Sequence, residues 1–172
     1  MNFYELIAGR ESIRDYDPQR PVNPAVLDRI LEAGRLAPSA ANRQPWRFFL
    51  VSSKKMLEKV RPCYPTDWFQ NAPHILVVLG KEDEAWRRSS DSYCALQTDL
   101  AIAMDHMILA AENEGVGTCW IAAFKPDILY RALSVRENER IFTITPLGYP
   151  KRGFVKKGSK QRKPFGEVVT KL

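Results

Sequence analysis

Hydrophobic positions along the chain repeat with a period near 3.6 in some stretches and near two or continuously in others, and each pattern predicts its own kind of element. Asn2 followed three residues later by Glu5 is a reciprocal helix start, so a short first helix is expected to about Ala8, closed by Gly9. The run Arg10-Glu-Ser-Ile-Arg-Asp-Tyr-Asp-Pro18 is polar and proline-ended, which predicts extended chain. A second helix starts at Asn23 with Pro24 in its first turn, and carries Val26, Leu27, Ile30 and Leu31 on one face until Pro38 stops it. Residues 46–52, 118–123 and 140–147 read as strands, and the continuous apolar run 74–80 reads as a strand buried on both faces. Short helices are expected at 54–60 and 126–133, an irregular aromatic-bearing link at 61–72, and a loop or mobile helix in the charged, aperiodic stretch 81–92. The longest helix runs from Tyr93 to about Glu114. Its residues Leu96, Leu100, Ala103, Met104, Met107, Ile108 and Ala111 form an apolar face wide enough to require burial on more than one side.

Strands interspersed with helices predict a mixed sheet covered by helices on both faces. No repeat or low-complexity linker divides the 172 residues, so a single domain over 1–172 is expected. The irregular tail 151–172 holds the apolar pair Val168-Val169, an end that needs a pairing surface, and a neighbouring subunit is an economical one.

Composition, at 45% hydrophobic and 27% charged, is that of an ordinary globular chain. The apolar stretches 75–79 and 100–111 fall short of the ~18 residues of a membrane span, so no membrane partner is expected. The start shows no basic segment followed by an apolar run, which makes the cytoplasm the default location. Cys63, Cys94 and Cys119 share no Cys-x-x-Cys spacing, and the two histidines sit at no ligand spacing, so no metal held by the protein is expected. Cys119, inside an apolar run, reads as a buried packing residue.

The net charge of +6 matters less than its placement: seven basic residues and no acid lie between Lys151 and Lys163. Such a segment is either a solvated tail or a surface for nucleic acid, an anionic membrane or a phosphorylated small molecule. Sparse aromatics and the lack of any zinc-finger or RNA-binding signature weigh against nucleic acid and favour the small anion.

Gly115-Val-Gly117 lacks the third glycine of a dinucleotide fingerprint, and neither a phosphate-binding P-loop nor a nucleophile elbow occurs. A chain so poor in acid–base pairs suits an organic cofactor that carries the chemistry itself. Arg10, Ser12 and Arg14 alternate along extended chain, which puts two guanidinium groups and a hydroxyl on one side, a set matched to a phosphate dianion. Between Pro38 and Pro45 lie small residues with Ser39, Asn42 and Gln44, which suit either a capped loop or the edge of a flat heteroaromatic ligand.

Five blocks occur in order: Arg10-Glu-Ser-Ile-Arg14, Ala37-Pro-Ser-Ala-Ala-Asn-Arg-Gln-Pro-Trp46, Gly115-Val-Gly-Thr-Cys-Trp-Ile121, Leu147-Gly-Tyr-Pro150 and Lys160-Gln-Arg-Lys-Pro-Phe165. Together they resemble the nitroreductase family of flavin enzymes over nearly the whole chain. The resemblance implies an α+β fold, a three-layer α/β/α sandwich with a mixed, mainly antiparallel sheet, in an intertwined homodimer whose tail 150–172 reaches toward the partner subunit. It implies one non-covalent FMN in each interface pocket, with NAD(P)H as electron donor and an electron-poor small molecule, such as a nitroaromatic or quinone, as acceptor. By the same resemblance Arg10 and Ser12 hold the FMN phosphate, Arg14 reaches the phosphate or the N1/C2-carbonyl edge, and Lys160 and Arg162 complete the clamp. Pro38, Ser39, Ala40, Asn42 and Gln44 contact the flavin from the partner subunit, and Asn71 either serves its pyrimidine edge or caps a turn. The backbone of Ile121, Ala122 and Ala123 lies against the ring near N5, leaving no catalytic side chain. The alternative is an FMN-binding protein with little turnover.

Overall fold

Residues 2–172 are described by a computed structural model, and Met1 lies outside the described residues. The chain opens on a capping box: the Asn2 side chain accepts the Glu5 N–H at 2.9 Å while the Glu5 carboxylate accepts the Asn2 N–H at 2.9 Å. Helix α1 then runs Phe3–Gly9. Asn23 caps α2 (Pro24–Arg35) by accepting the Ala25 N–H. Strand β1 (Trp46–Val51) leads into α3 (Lys54–Val60), which Ser53 caps, and the link that follows contains a 3-10 turn at Arg61–Cys63 and one α-helical turn, α4 (Asp67–Gln70). Next come β2 (His74–Lys81), α5 (Leu96–Asn113), β3 (Gly117–Thr118), α6 (Pro126–Leu133), β4 (Glu139–Gly148) and a last turn, α7 (Phe165–Val168).

The four strands form an antiparallel sheet in the order β1-β2-β4-β3. Central β2 carries apolar side chains to both faces. Leu76 and Val78 join Leu27, Ile30, Leu100, Met104 and Met107 beneath α2 and α5, while Ile75, Val77 and Leu79 join Leu57, Val60, Phe69 and Leu129 beneath α3 and α6. Each fully buried aliphatic contributes roughly 1.5–3 kcal/mol, so this alternation holds three layers together. All seven apolar positions expected on the longest helix are buried in α5.

Two expectations are corrected. The strand expected at 118–123 ends at Thr118, because the Cys119 N–H turns to the Thr145 hydroxyl at 3.0 Å and leaves the backbone ladder; pairing resumes only at the Ile121–Ile144 bridge. The longest helix starts at Leu96, since Cys94 is held in a bridge with Arg87 and cannot take helical geometry. The apolar end of the tail, expected to pair with a neighbouring subunit, contains the short turn α7 and leaves Phe165 and Val168 uncovered in the single chain. Among the described residues no helix is long and apolar enough to cross a membrane.

Candidate anion-binding site

The segment after α1 lies alongside β3: Ser12 bridges Thr118 in parallel sense and the Ile13 N–H donates to the Thr118 carbonyl at 2.8 Å. This extended geometry buries Ile13 and leaves Arg10, Ser12 and Arg14 along one edge. The alternation stops at Tyr16, which is fully buried and donates its hydroxyl to the Ile13 carbonyl at 2.7 Å.

Opposite this edge runs the basic tail. Lys156 pairs with the buried Glu112 of α5 and donates to the Gly9 carbonyl at 3.1 Å. Glu11 accepts backbone N–H groups from Lys157 at 3.0 Å and Gly158 at 2.7 Å, and Lys160 donates to the Ile7 carbonyl. The two walls flank an open cleft of about 760 Å3 lined by Arg10, Ser12, Arg14, Lys160 and Arg162, with Phe154 at its side and Glu11 among its walls. The structure therefore brings together five of the residues singled out in the sequence, from segments nearly 150 positions apart.

Among the described residues none of Arg10, Arg14 and Arg162 has a carboxylate within ion-pairing distance, and the Glu11 carboxylate is taken by the tail. Lys160 is held below the ordinary lysine value, first by loss of water and then by the Arg10 and Arg162 charges. A lysine set among guanidinium groups with no ion pair of their own suits an anion, and guanidinium, ammonium and hydroxyl donors together match phosphate oxygens. Behind the edge, burial raises the Cys119 thiol, while the Arg14 charge and hydrogen bonds with Ser12 and Arg14 draw it back.

The remaining singled-out residues lie outside this cavity. Pro38, Ser39, Ala40, Asn42 and Gln44 belong to a tight turn in which Ala41, Asn42 and Gln44 take positive φ of 50°, 52° and 50°. A left-handed residue with a Cβ costs roughly 1–2 kcal/mol, so the turn stores strain. Its shape is held by the Gln44 N–H on the Ser39 hydroxyl at 2.9 Å, by Gln44 Nε2 on Asn42 Oδ1 at 3.1 Å, and by the Ala40 N–H on Asp99 Oδ1 at 2.9 Å. Asn71 is exposed at the end of α4. Ile121 is buried, whereas Ala122 and Ala123 are exposed and donate their N–H to no acceptor among the described residues. Glu11, Glu112 and Asp99 were not singled out by sequence. Only the turn-forming Gly158 hints at Glu11's partner, and no spacing links Asp99 to Ala40.

An α+β sandwich with a cation-lined cleft at the edge of an antiparallel sheet defines the class of protein. The profile described as "Nitroreductase family" matches residues 7–64 and 60–149, and the chain belongs to the nitroreductase family. A protein of Archaeoglobus fulgidus, provisionally named NADH dehydrogenase/NAD(P)H nitroreductase, is 32% identical over 152 residues, covering 86% of this chain and 84% of its own. The crystal structure of a nitroreductase family protein from Clostridium difficile 630 superposes with a TM-score of 0.89 at 31% identity, over 99% of this chain and 98% of that one. A structure described as "the oxidoreductase containing FMN" shares the fold, with a TM-score of 0.82 at 20% identity over 99% of this chain and 91% of that one.

Proposed function

We propose that this chain is an FMN-dependent NAD(P)H oxidoreductase of nitroreductase type, acting as a cytoplasmic homodimer on an electron-poor small molecule. The observation that carries the reading is the convergence of Arg10, Ser12, Arg14, Lys160 and Arg162 on one cleft whose lining acid, Glu11, is tied to the backbone N–H groups of Lys157 and Gly158 rather than to the cations. Relatives named for NAD(P)H nitroreductase support the donor, and family membership supports the reaction class.

Arg10 and Ser12 hold the phosphate of FMN, Lys160 and Arg162 close over it, and Arg14 serves either the phosphate or the N1/C2-carbonyl edge. Three or four cations offset the roughly −2 charge that a phosphoester carries near neutral pH. Because the turn 38–44 and the segment 121–123 lie outside the phosphate cavity, one chain holds two partial sites. In the dimer, Pro38, Ser39, Ala40, Asn42 and Gln44 of one subunit meet the flavin held by the other, Asn71 serves the pyrimidine edge, and the exposed N–H groups of Ala122 and Ala123 are available near N5. Residues 1–172 then form one domain, whose tail at 150–172 extends toward the partner subunit through its uncovered end. The chemistry supplied by bound FMN is hydride transfer through N5, from NAD(P)H and then to the acceptor in the same slot. The chain has only to bind, orient and exclude water, in keeping with its lack of an acid–base pair.

The test is a visible absorption spectrum of the purified protein, followed by anaerobic addition of NADH or NADPH. A flavin spectrum that bleaches and returns on addition of an acceptor is expected. A spectrum that never bleaches moves the reading to a flavin-binding protein with little turnover, and failure to take up FMN overturns it.

A further inference from the structure

The turn Ala40–Gln44 is folded against its own backbone preferences, with three left-handed residues in four positions and no glycine among them. Such a turn relaxes unless its surroundings over-determine it. Most of its hydrogen bonds are internal, between Ser39, Ala40, Asn42 and Gln44, and these rotate with the turn. The side-chain bond reaching it from the core is that of Asp99, in the first turn of α5, whose Oδ1 accepts the Ala40 N–H at 2.9 Å.

Asp99 is only 2% exposed, and its second oxygen, Oδ2, is buried without a hydrogen-bond partner among the described residues. Burying a carboxylate to satisfy one N–H is a poor way to stabilise a fold, since an apolar side chain of similar shape avoids the desolvation cost. A strained turn and an under-satisfied buried acid joined by one hydrogen bond are better explained by a demand on the turn's shape.

We infer that Asp99 is a positioning residue: by holding the Ala40 N–H it keeps the turn in the left-handed form that presents Ala40, Asn42 and Gln44 to the flavin ring. The inference rests on the FMN reading above. It places Asp99 on the ring side of the ligand, whereas Arg10 and Arg162 act on the phosphate. Riboflavin, which has the ring and lacks the phosphate, separates the two.

The experiment measures dissociation constants for FMN and riboflavin, by quenching of flavin fluorescence, on the full-length chain and its variants. Asp99→Ala is expected to weaken both ligands by the same factor, about tenfold. Asp99→Asn retains an acceptor for Ala40 and is expected to bind both nearly as well as the parent. Adding Ala41→Gly to Asp99→Ala is expected to recover part of the loss, because glycine takes positive φ without strain. A merely structural role for Asp99 predicts no such rescue. The inference is overturned if Asp99→Ala binds as the parent does, if Asp99→Asn loses as much as Asp99→Ala, or if the glycine recovers nothing. Asp99→Leu keeps the branched shape without an acceptor and repeats the comparison should alanine unfold the chain; unfolding of both variants also overturns the positioning role. A parent chain that binds neither ligand overturns the FMN reading itself.

Discussion

The carboxylate of Glu11 accepts the backbone N–H of Gly158 at 2.7 Å, across 147 positions of sequence. Gly158 sits at a φ of +70°, a conformation that turns successive N–H groups toward one point and makes a small anion-holding nest. An acid on the extended segment that carries Arg10 and Arg14 thereby fastens the basic tail and sets Lys160 and Arg162 over the cavity.

Glu11→Gln keeps the size of the side chain and removes its charge. Trypsin is expected to cut the tail near Lys156 and Lys157 faster, and FMN affinity to fall by about tenfold, with the melting temperature of the core unmoved. The N–H bonds of Gly158 and then Lys157 hold the Glu11 carboxyl below its ordinary value, aided by the Lys156 and Lys160 charges and opposed by burial. Its folded value being the lower one, tail docking persists above about pH 4.5 and is lost as pH falls through that folded value. Proteolysis rates measured against pH check the direction.

Arg10→Ala combined with Arg162→Ala removes two cations that pair with no carboxylate among the described residues. FMN affinity is expected to fall by at least about 100-fold, while stability to urea shifts by less than about 0.5 kcal/mol. Retained yellow colour through gel filtration shows the phosphate to lie elsewhere.

Gly117→Ala tests the backing of the site. A Cβ there lies 2.9 Å from Ile13 Cβ, so the strand carrying Arg10, Ser12 and Arg14 must move away from β3. The expected cost is about 1–3 kcal/mol in urea unfolding, as for other overpacked sites. A parallel loss of FMN affinity is expected, and a stability loss with unchanged affinity separates the strand's packing from the cleft.

His74 gives the fold a pH dependence of its own. Its Nε2 accepts the Val22 N–H at 3.2 Å and Nδ1 lies 2.7 Å from the Ser52 hydroxyl, an arrangement only the neutral ring can make. Burial holds its value below 6.5, so the unfolded chain takes up a proton first as the medium is acidified. Stability is therefore full above about pH 6.5 and declines as pH falls toward the folded value. Melting curves between pH 8 and 5 are expected to show this decline in the parent and a smaller one in His74→Gln.

What could be read from the sequence was short-range. Asn2 with Glu5, Asn23 with Pro24, the stripe from Leu96 to Ala111 and the alternation of Arg10, Ser12 and Arg14 all depend on spacings of one to four residues, which dictate where a helix starts and who shares a helix face or a strand side. The ordered blocks carried the family and hence the sheet with helices on both faces. Beyond local reach lay the shortened β3, decided by the Thr145 hydroxyl taking the Cys119 N–H, and the bonds from Glu11 to Gly158 and from Asp99 to Ala40. Each joins residues 26 to 147 positions apart. A single polar atom facing a single N–H leaves no periodic trace in the sequence, so packing of the helices against the sheet decides which of them meet.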